Sequence, residues 1–326
     1  MILDFHNHFF PAPYLKELAK GTAKATVQTD ADGRTIMSVD GDYNIIVEEH
    51  HNPAARLAAL HAAGVDMQCL TMTVPGVHGE EAGVGMKLAQ LVNDGFADVI
   101  AQYPQHFTAL AALPLQDPQA AVVELERAVT QGKLRGGTLF THINGKQLDD
   151  PTFWPLYAKA CELDVPLFIH PIVPQQIGAM RDYRLVAVEG FLFETSIAVS
   201  RLIYGGVMAQ FPQLTLILAH MGGTLPFLAE RMDRGFAVYP ECRQKIAEPP
   251  SLALRRMYMD TFPYSPKAIQ FAIEFAGADQ ILMGSDYPHQ IGDLPGGVQT
   301  IRDLPIGATE KQLILGDNAR RVLKLP

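Results

Sequence analysis

Thiols are scarce in this chain, and so is positive charge. Cys69, Cys161 and Cys242 are its 3 cysteines, widely spaced and odd in number. That spacing offers neither a disulfide framework nor a CxxC zinc motif, and it suits a reducing cytoplasm. Lys and Arg total 26 against 35 Asp and Glu, and the resulting net charge of -9 disfavours a general nucleic-acid surface. No apolar run approaches the roughly 20 residues needed to cross a bilayer, so no membrane partner is expected. The N-terminus runs straight into a strand without a basic leader, and no signal peptide is expected. No glycine-rich phosphate loop follows a strand, which leaves a doubly wound nucleotide-binding sheet without support. Internal repeats and low-complexity segments are also lacking.

What is present is core material. An apolar fraction of 48% fills a sizeable core, and 19% charged residues is too few for a disordered solvating chain. The chain opens on a short apolar strand, Leu3-Asp4-Phe5, that runs into His6-Asn7-His8. A region of different character, 14–49, follows. Its segments 25–29 and 35–39 show β-branched alternation around Asp30-Ala31-Asp32-Gly33, which predicts a small inserted β subdomain. Asn52-Pro53 then opens a helix as N-cap and first helical residue, and Gly64 closes it.

From there strand-like runs at 67–74, 107–113, 137–141, 165–169, 214–219, 257–262 and 280–284 alternate with helical stretches. The helices are expected at 80–102, 118–131, 152–163, 191–210, 225–236 and 266–275, with Asp317-Asn318 capping a last one over 319–323. Continuous apolar strands between helices indicate a parallel sheet covered by helices. With the N-terminal strand the units match a closed (β/α)8 TIM-like barrel, a single domain over 1–326.

Chemistry in such a barrel belongs at the C-terminal ends of the strands. Four of those ends carry ligand or acid–base residues: His6 and His8, His170, His220, and Asp286 with His289. In a strand, residues two apart face the same side, so His6 and His8 can offer two nitrogens to one ion while Asn7 faces away. Each histidine alone is an ordinary core or surface residue more often than a ligand. Their joint placement at one rim points to a mononuclear metal site, because imidazoles with one carboxylate match the preference of zinc and similar divalent ions. Asp286 can bind the metal, orient a water beside it, or do both.

The string His6-x-His8, Phe168-Ile169-His170-Pro171, Ala219-His220-Met221-Gly222-Gly223 and Gly284-Ser285-Asp286-Tyr287-Pro288 resembles the amidohydrolase superfamily. Within it, the chain is most similar to the branch of aminocarboxymuconate-semialdehyde, γ-resorcylate and 5-carboxyvanillate decarboxylases. The resemblance covers nearly the whole chain. It implies that His6, His8, His170 and Asp286 ligate one divalent metal, zinc first and manganese as the alternative. It further implies that His220 is a catalytic acid or base, with Asp286 beside it, and that the enzyme is a homodimer. Arg231 matches the position where family members bind a substrate carboxylate, and a guanidinium fork suits that anion. Its other reading is a helix arginine paired with Asp233, Glu230 or solvent.

Three departures bear on the substrate. Val47 and Tyr239 stand where relatives of the aminocarboxymuconate-semialdehyde type carry arginines, and Ile172 stands where the family has tryptophan. The pocket is therefore expected to be less basic than theirs. His289 is a further candidate for substrate contact. His142 ends the fourth strand, and Glu194 is a candidate partner for orienting His220. His50, His51, His61, His78 and His106 are read as solvent-facing or loop residues.

The leading expectation is a metal-dependent non-oxidative decarboxylase of a small aromatic or unsaturated carboxylic acid. The alternative is a hydrolase of the same superfamily acting on an amide, lactone or carbon–carbon bond. A metal-stabilised scaffold without catalysis ranks third, since structure alone gives no reason for His220.

Overall fold

The computed structural model describes residues 1–39, 42–262 and 265–326, so Asp40 and Gly41 of the expected insertion lie outside it. Strand β1 (Leu3–His8) is followed by the helix Ala12–Leu18 and by an antiparallel sheet of β2 (Thr26–Thr29), β3 (Thr35–Val39) and β4 (Asp42–Ile46). The helix Pro53–Ala63 then returns the chain to the parallel framework. Asn52 accepts from the Ala54 amide at 3.0 Å, and Gly64 adopts φ 67°, so both helix ends form where their residues expect them.

The framework strands are β5 (Met67–Thr71), β6 (Phe107–Ala109) and β7 (Gly137–Phe140). After a small hairpin of β8 (His142–Ile143) and β9 (Lys146–Gln147) come β10 (Leu167–His170), β11 (Leu216–Leu218), β12 (Tyr258–Asp260), β13 (Ile281–Leu282) and β14 (Gly284–Tyr287). One parallel sheet runs β14-β1-β5-β6 and another β13-β12-β11-β10-β7. The bridge Ala111–Gly137 joins β6 to β7, and β13 and β14 are one strand interrupted at Met283. The sheet thus closes on itself into the (β/α)8 barrel.

Two apolar layers follow from that closure. Phe5, Cys69, Leu110, Phe168, Ile217 and Leu282 fill the barrel interior, with Phe5 and Phe168 edge to face at 5.2 Å between centroids. A larger layer packs helices such as Ala82–Gln102 and Pro118–Thr130 against the outside of the strands. Asp4 ties the first strand to its neighbours: its carboxylate accepts from the Ser285 amide at 3.0 Å, the Ser285 hydroxyl at 2.6 Å and the Gln68 amide group at 2.7 Å.

Three local features differ from the sequence reading. The helix expected over 191–210 is two, Phe191–Tyr204 and Val207–Gln210, broken at Gly206, whose φ of 84° suits glycine. Asp317 caps nothing, because the helical turn Leu313–Asp317 runs directly into the helix Asn318–Val322. The register of β1 also shifts between His6 and Asn7 against β14, a bulge that re-aims side chains at the strand end.

Candidate metal centre

His6 and His8 stand at the C-terminal end of β1, fully buried, with their Nε2 atoms 3.2 Å apart. His170 ends β10 and its ring centroid lies 4.8 Å from that of His8 and 5.2 Å from that of His6. Asp286 comes from β14, with Oδ1 2.8 Å from His8 Nε2 and 3.5 Å from His6 Nε2. One ligand atom from each of His6, His170, His220 and Asp286 falls within 4.8 Å of the others, and His8, Asp286 and His289 form an overlapping group.

The donor atoms are prepared for an ion. His6 Nδ1 bonds Asp260 at 2.5 Å, His170 Nδ1 donates to the Pro171 carbonyl at 2.8 Å, and His8 Nδ1 lies 3.3 Å from the Thr71 hydroxyl. Tying Nδ1 in this way leaves each Nε2 as the free lone pair, the tautomer a ligand requires. His170 Nε2 is buried without a hydrogen-bond partner among the described residues. Such an orphan is costly unless something electrophilic fills the space it faces. These residues fit a divalent ion.

The electrostatics agree. Burial and neighbouring imidazoles push the pKa values of His8 and His170 well below the ordinary histidine range, keeping both rings neutral. Burial lowers His289 to about 4. Burial also opposes charge on His6, but the Asp260 carboxylate outweighs it and raises His6. Burial works against ionisation of Asp286 as well; the surrounding imidazoles of His220, His8 and His6 outweigh it and hold the carboxyl well below its ordinary value.

His220 follows β11 and sits beside Asp286, with Nε2 3.9 Å from Oδ2. Its Nδ1 is buried without a partner among the described residues. His220, Met221 and Asp286 adopt φ of 54°, 57° and 53°, a left-handed conformation unfavourable for residues with a Cβ. Strain of this kind persists where surrounding contacts over-determine it, and it clusters at functional sites.

The contact that fixes His220 is Asp260, at the end of β12. Its carboxylate accepts from the His220 and Met221 amides at 3.0 and 3.2 Å while also holding His6. Sequence reasoning missed Asp260, although the rule that found the other strand ends, an acid–base residue where a parallel strand stops, applies to it equally. Arg56 was also missed. Fully buried, it donates to the His8 carbonyl and, at 3.3 Å, to the Tyr287 carbonyl, clamping the ends of β1 and β14.

Several readings are corrected. Arg231 is exposed on the helix Leu225–Val238 and does not line the cavity over the metal centre; the buried face of that helix is Leu225, Pro226 and Ala229. Glu194 lies 3.5 Å from the Thr141 hydroxyl and 4.0 Å from His142, so its carboxylate sits beside that pair rather than His220. His50 and His78 are buried, not solvent-facing. His50 Nε2 is 3.2 Å from Nδ1 of His289, which does line the cavity, and His78 stacks on Phe140.

Above the centre opens a cavity of about 520 Å³. His170, His220 and Asp286 form its polar base, and Val74, Phe191, Leu192, Phe262 and Ile291 contribute apolar walls. That volume and lining suit a small planar ligand.

Fold and site together define a barrel with a buried imidazole–carboxylate metal centre at the mouth of its strands. A family model described as Amidohydrolase matches residues 3–325, and the chain belongs to this amidohydrolase family. It is 30% identical to a 2-amino-3-carboxymuconate-6-semialdehyde decarboxylase of Dictyostelium discoideum, over 99% of this chain and 91% of that protein. A γ-resorcylate decarboxylase of Rhizobium sp. (strain MTP-10005) is 30% identical over 83% of this chain and 86% of its own length. The crystal structure of a 5-carboxyvanillate decarboxylase from Sphingomonas paucimobilis superposes with a TM-score of 0.87 at 30% identity, covering 100% of this chain and 99% of that one.

Proposed function

We propose that the chain is a metal-dependent, non-oxidative decarboxylase of a small aromatic or unsaturated carboxylic acid. The observation that carries this reading is the cluster of His6, His170, His220 and Asp286 beneath an apolar-walled cavity, with His8 Nε2 3.2 Å from His6 Nε2 and 2.8 Å from Asp286. Decarboxylase names among the relatives support it.

His6, His8, His170 and Asp286 would hold the ion, for which the mixed nitrogen and oxygen donor set favours zinc over manganese. When bound, the metal supplies positive charge that anchors and polarises the acid. The remaining work falls to the protein. The apolar walls hold the unsaturated body of the substrate and exclude water from the reacting carbon. In the reaction the bond to the carboxylate carbon breaks, CO2 leaves, and one proton takes its place on the substrate carbon. His220 moves that proton, a role suited to an imidazole standing beside the carboxylate end of the cavity. Asp260 keeps His220 in register by holding its backbone amide. We further place the enzyme in the cytoplasm as a homodimer, which accords with its free cysteines; no helix among the described residues is long and apolar enough to cross a membrane.

Metal-loaded protein given a panel of hydroxybenzoates and muconate-type acids in 18O water tests this reading. It predicts CO2 release and an organic product that carries a solvent hydrogen but no 18O. Incorporation of 18O into the organic product would favour the hydrolase instead.

A further inference from the structure

Arg184 stands at the wall of the same cavity, and among the described residues lining it Arg184 is the single Lys or Arg. It belongs to the segment before the helix Phe191–Tyr204, outside the barrel strands. Three contacts fix it. Its Nη1 lies 2.9 Å from Asp42 Oδ1, its Nη2 donates to the Tyr43 carbonyl at 3.2 Å, and its guanidinium stacks over the Tyr43 ring at 4.1 Å. Asp42 and Tyr43 open β4 of the inserted sheet and line the cavity too.

The pair is lopsided. The Asp42 side chain is 6% exposed and that of Arg184 43%, so the carboxylate is sunk while the guanidinium remains accessible. Among the described residues these contacts engage two of the five guanidinium N–H donors. Tyr183 and Arg184 both adopt φ of 58°, an unfavourable conformation for two successive residues with side chains. A planar cation pinned on one edge and stacked on one face is preorganised for a second anion on its free edge.

Resting on the decarboxylase reading for the identity of the site, we propose that Arg184 determines specificity by receiving a second anionic substituent of the substrate, such as a second ring carboxylate, away from the metal centre. Asp42 and Tyr43 act as positioning residues that aim the fork. This gives the cavity a basic element that Arg231 does not provide and that Val47 and Tyr239 cannot. A plain structural tie between insertion and barrel predicts otherwise: an ion pair at this exposure contributes little to stability and nothing to ligand choice.

Calorimetric titration of the metal-loaded protein with benzoate and with isophthalate separates the two. Wild type should bind isophthalate more tightly. Arg184→Gln should weaken isophthalate about 10-fold or more, the loss of a charge-assisted contact, and leave benzoate within about 2-fold. Arg184→Lys, which keeps the charge without the fork, should fall between, and Asp42→Asn should bind isophthalate at least as tightly as wild type. Equal weakening of both acids in Arg184→Gln, no change in either, or no wild-type preference overturns the proposal. Because binding is read without turnover, a wild type that releases no CO2 sinks the decarboxylase reading separately.

Discussion

Replacing Asp260 by Asn exchanges an acceptor of four contacts, from His6 and the His220, Met221 and Phe262 amides, for a group that also donates. His6 then loses the charged partner that fixes its tautomer, and the His220 turn loses one anchor. Loss of such an outer partner typically costs 10–100-fold in metal affinity or activity. Competition with a chelator should therefore show Asp260→Asn releasing metal at correspondingly lower chelator concentration than wild type; unchanged affinity would remove Asp260 from the account. A second residue acts on stability alone. His78 is buried against Phe140 away from the cavity lining, and burial lowers its pKa to about 3 from an unfolded value near 6.5. Between those values the unfolded chain takes up a proton that the folded chain refuses, so stability falls as pH drops from about 6.5 towards 3. His78→Asn should flatten that slope in urea midpoints measured across the window, and an unaltered slope would contradict the assignment.

At the scale of elements, the strands carry the chemistry because a parallel barrel brings all their C-terminal ends to one rim. This is why His6, His8, His170, His220 and Asp286 were legible in the sequence: each follows a continuous apolar run that could be recognised as a strand. What escaped was whatever depends on partners far along the chain. Asp260 reads as one acid after a methionine-rich strand, and its function emerges only when His6 and the His220 turn arrive beside it. Arg56 reads as a surface residue of an alanine-rich helix. Only the folded chain shows it buried under the carbonyls that end β1 and β14. The bulge at His6 has no glycine of its own to announce it, and Gly222 and Gly223 mark a turn after β11 without showing that His220 and Met221 share its left-handed conformation. Arg231 was misjudged for the opposite reason: its place in the family pattern says nothing about which face of its helix the barrel covers. Arg56→Met should remove the guanidinium donor from the buried His8 carbonyl and the half-buried Tyr287 carbonyl and lower unfolding stability by about 3 kcal/mol. A urea midpoint unchanged from wild type would show that the clamp is dispensable.

Across the whole molecule, the ring of strands, the imidazole–carboxylate centre and the insertion-lined cavity each supply one requirement of a small-acid decarboxylase. The barrel gives rigid placement, the centre gives charge, and the insertion narrows the mouth with Asp42, Tyr43 and Ile45. The inserted segments at 25–29 and 35–39 were recognisable from β-branched alternation, but their place over the cavity was not, since nothing in a hairpin's own sequence encodes what it covers. The claim on which the rest depends is that CO2 release requires the metal held at this centre together with His220. The direct measurement is CO2 release from a substrate found in the acid panel, before chelation, after chelation, and after adding back zinc or manganese, with His220→Asn beside wild type. The account predicts loss of release on chelation, recovery with one of the two ions, and a fall of about 100-fold or more in His220→Asn at undiminished metal content. Release that survives complete removal of metal, or a fully active His220→Asn protein, would contradict it.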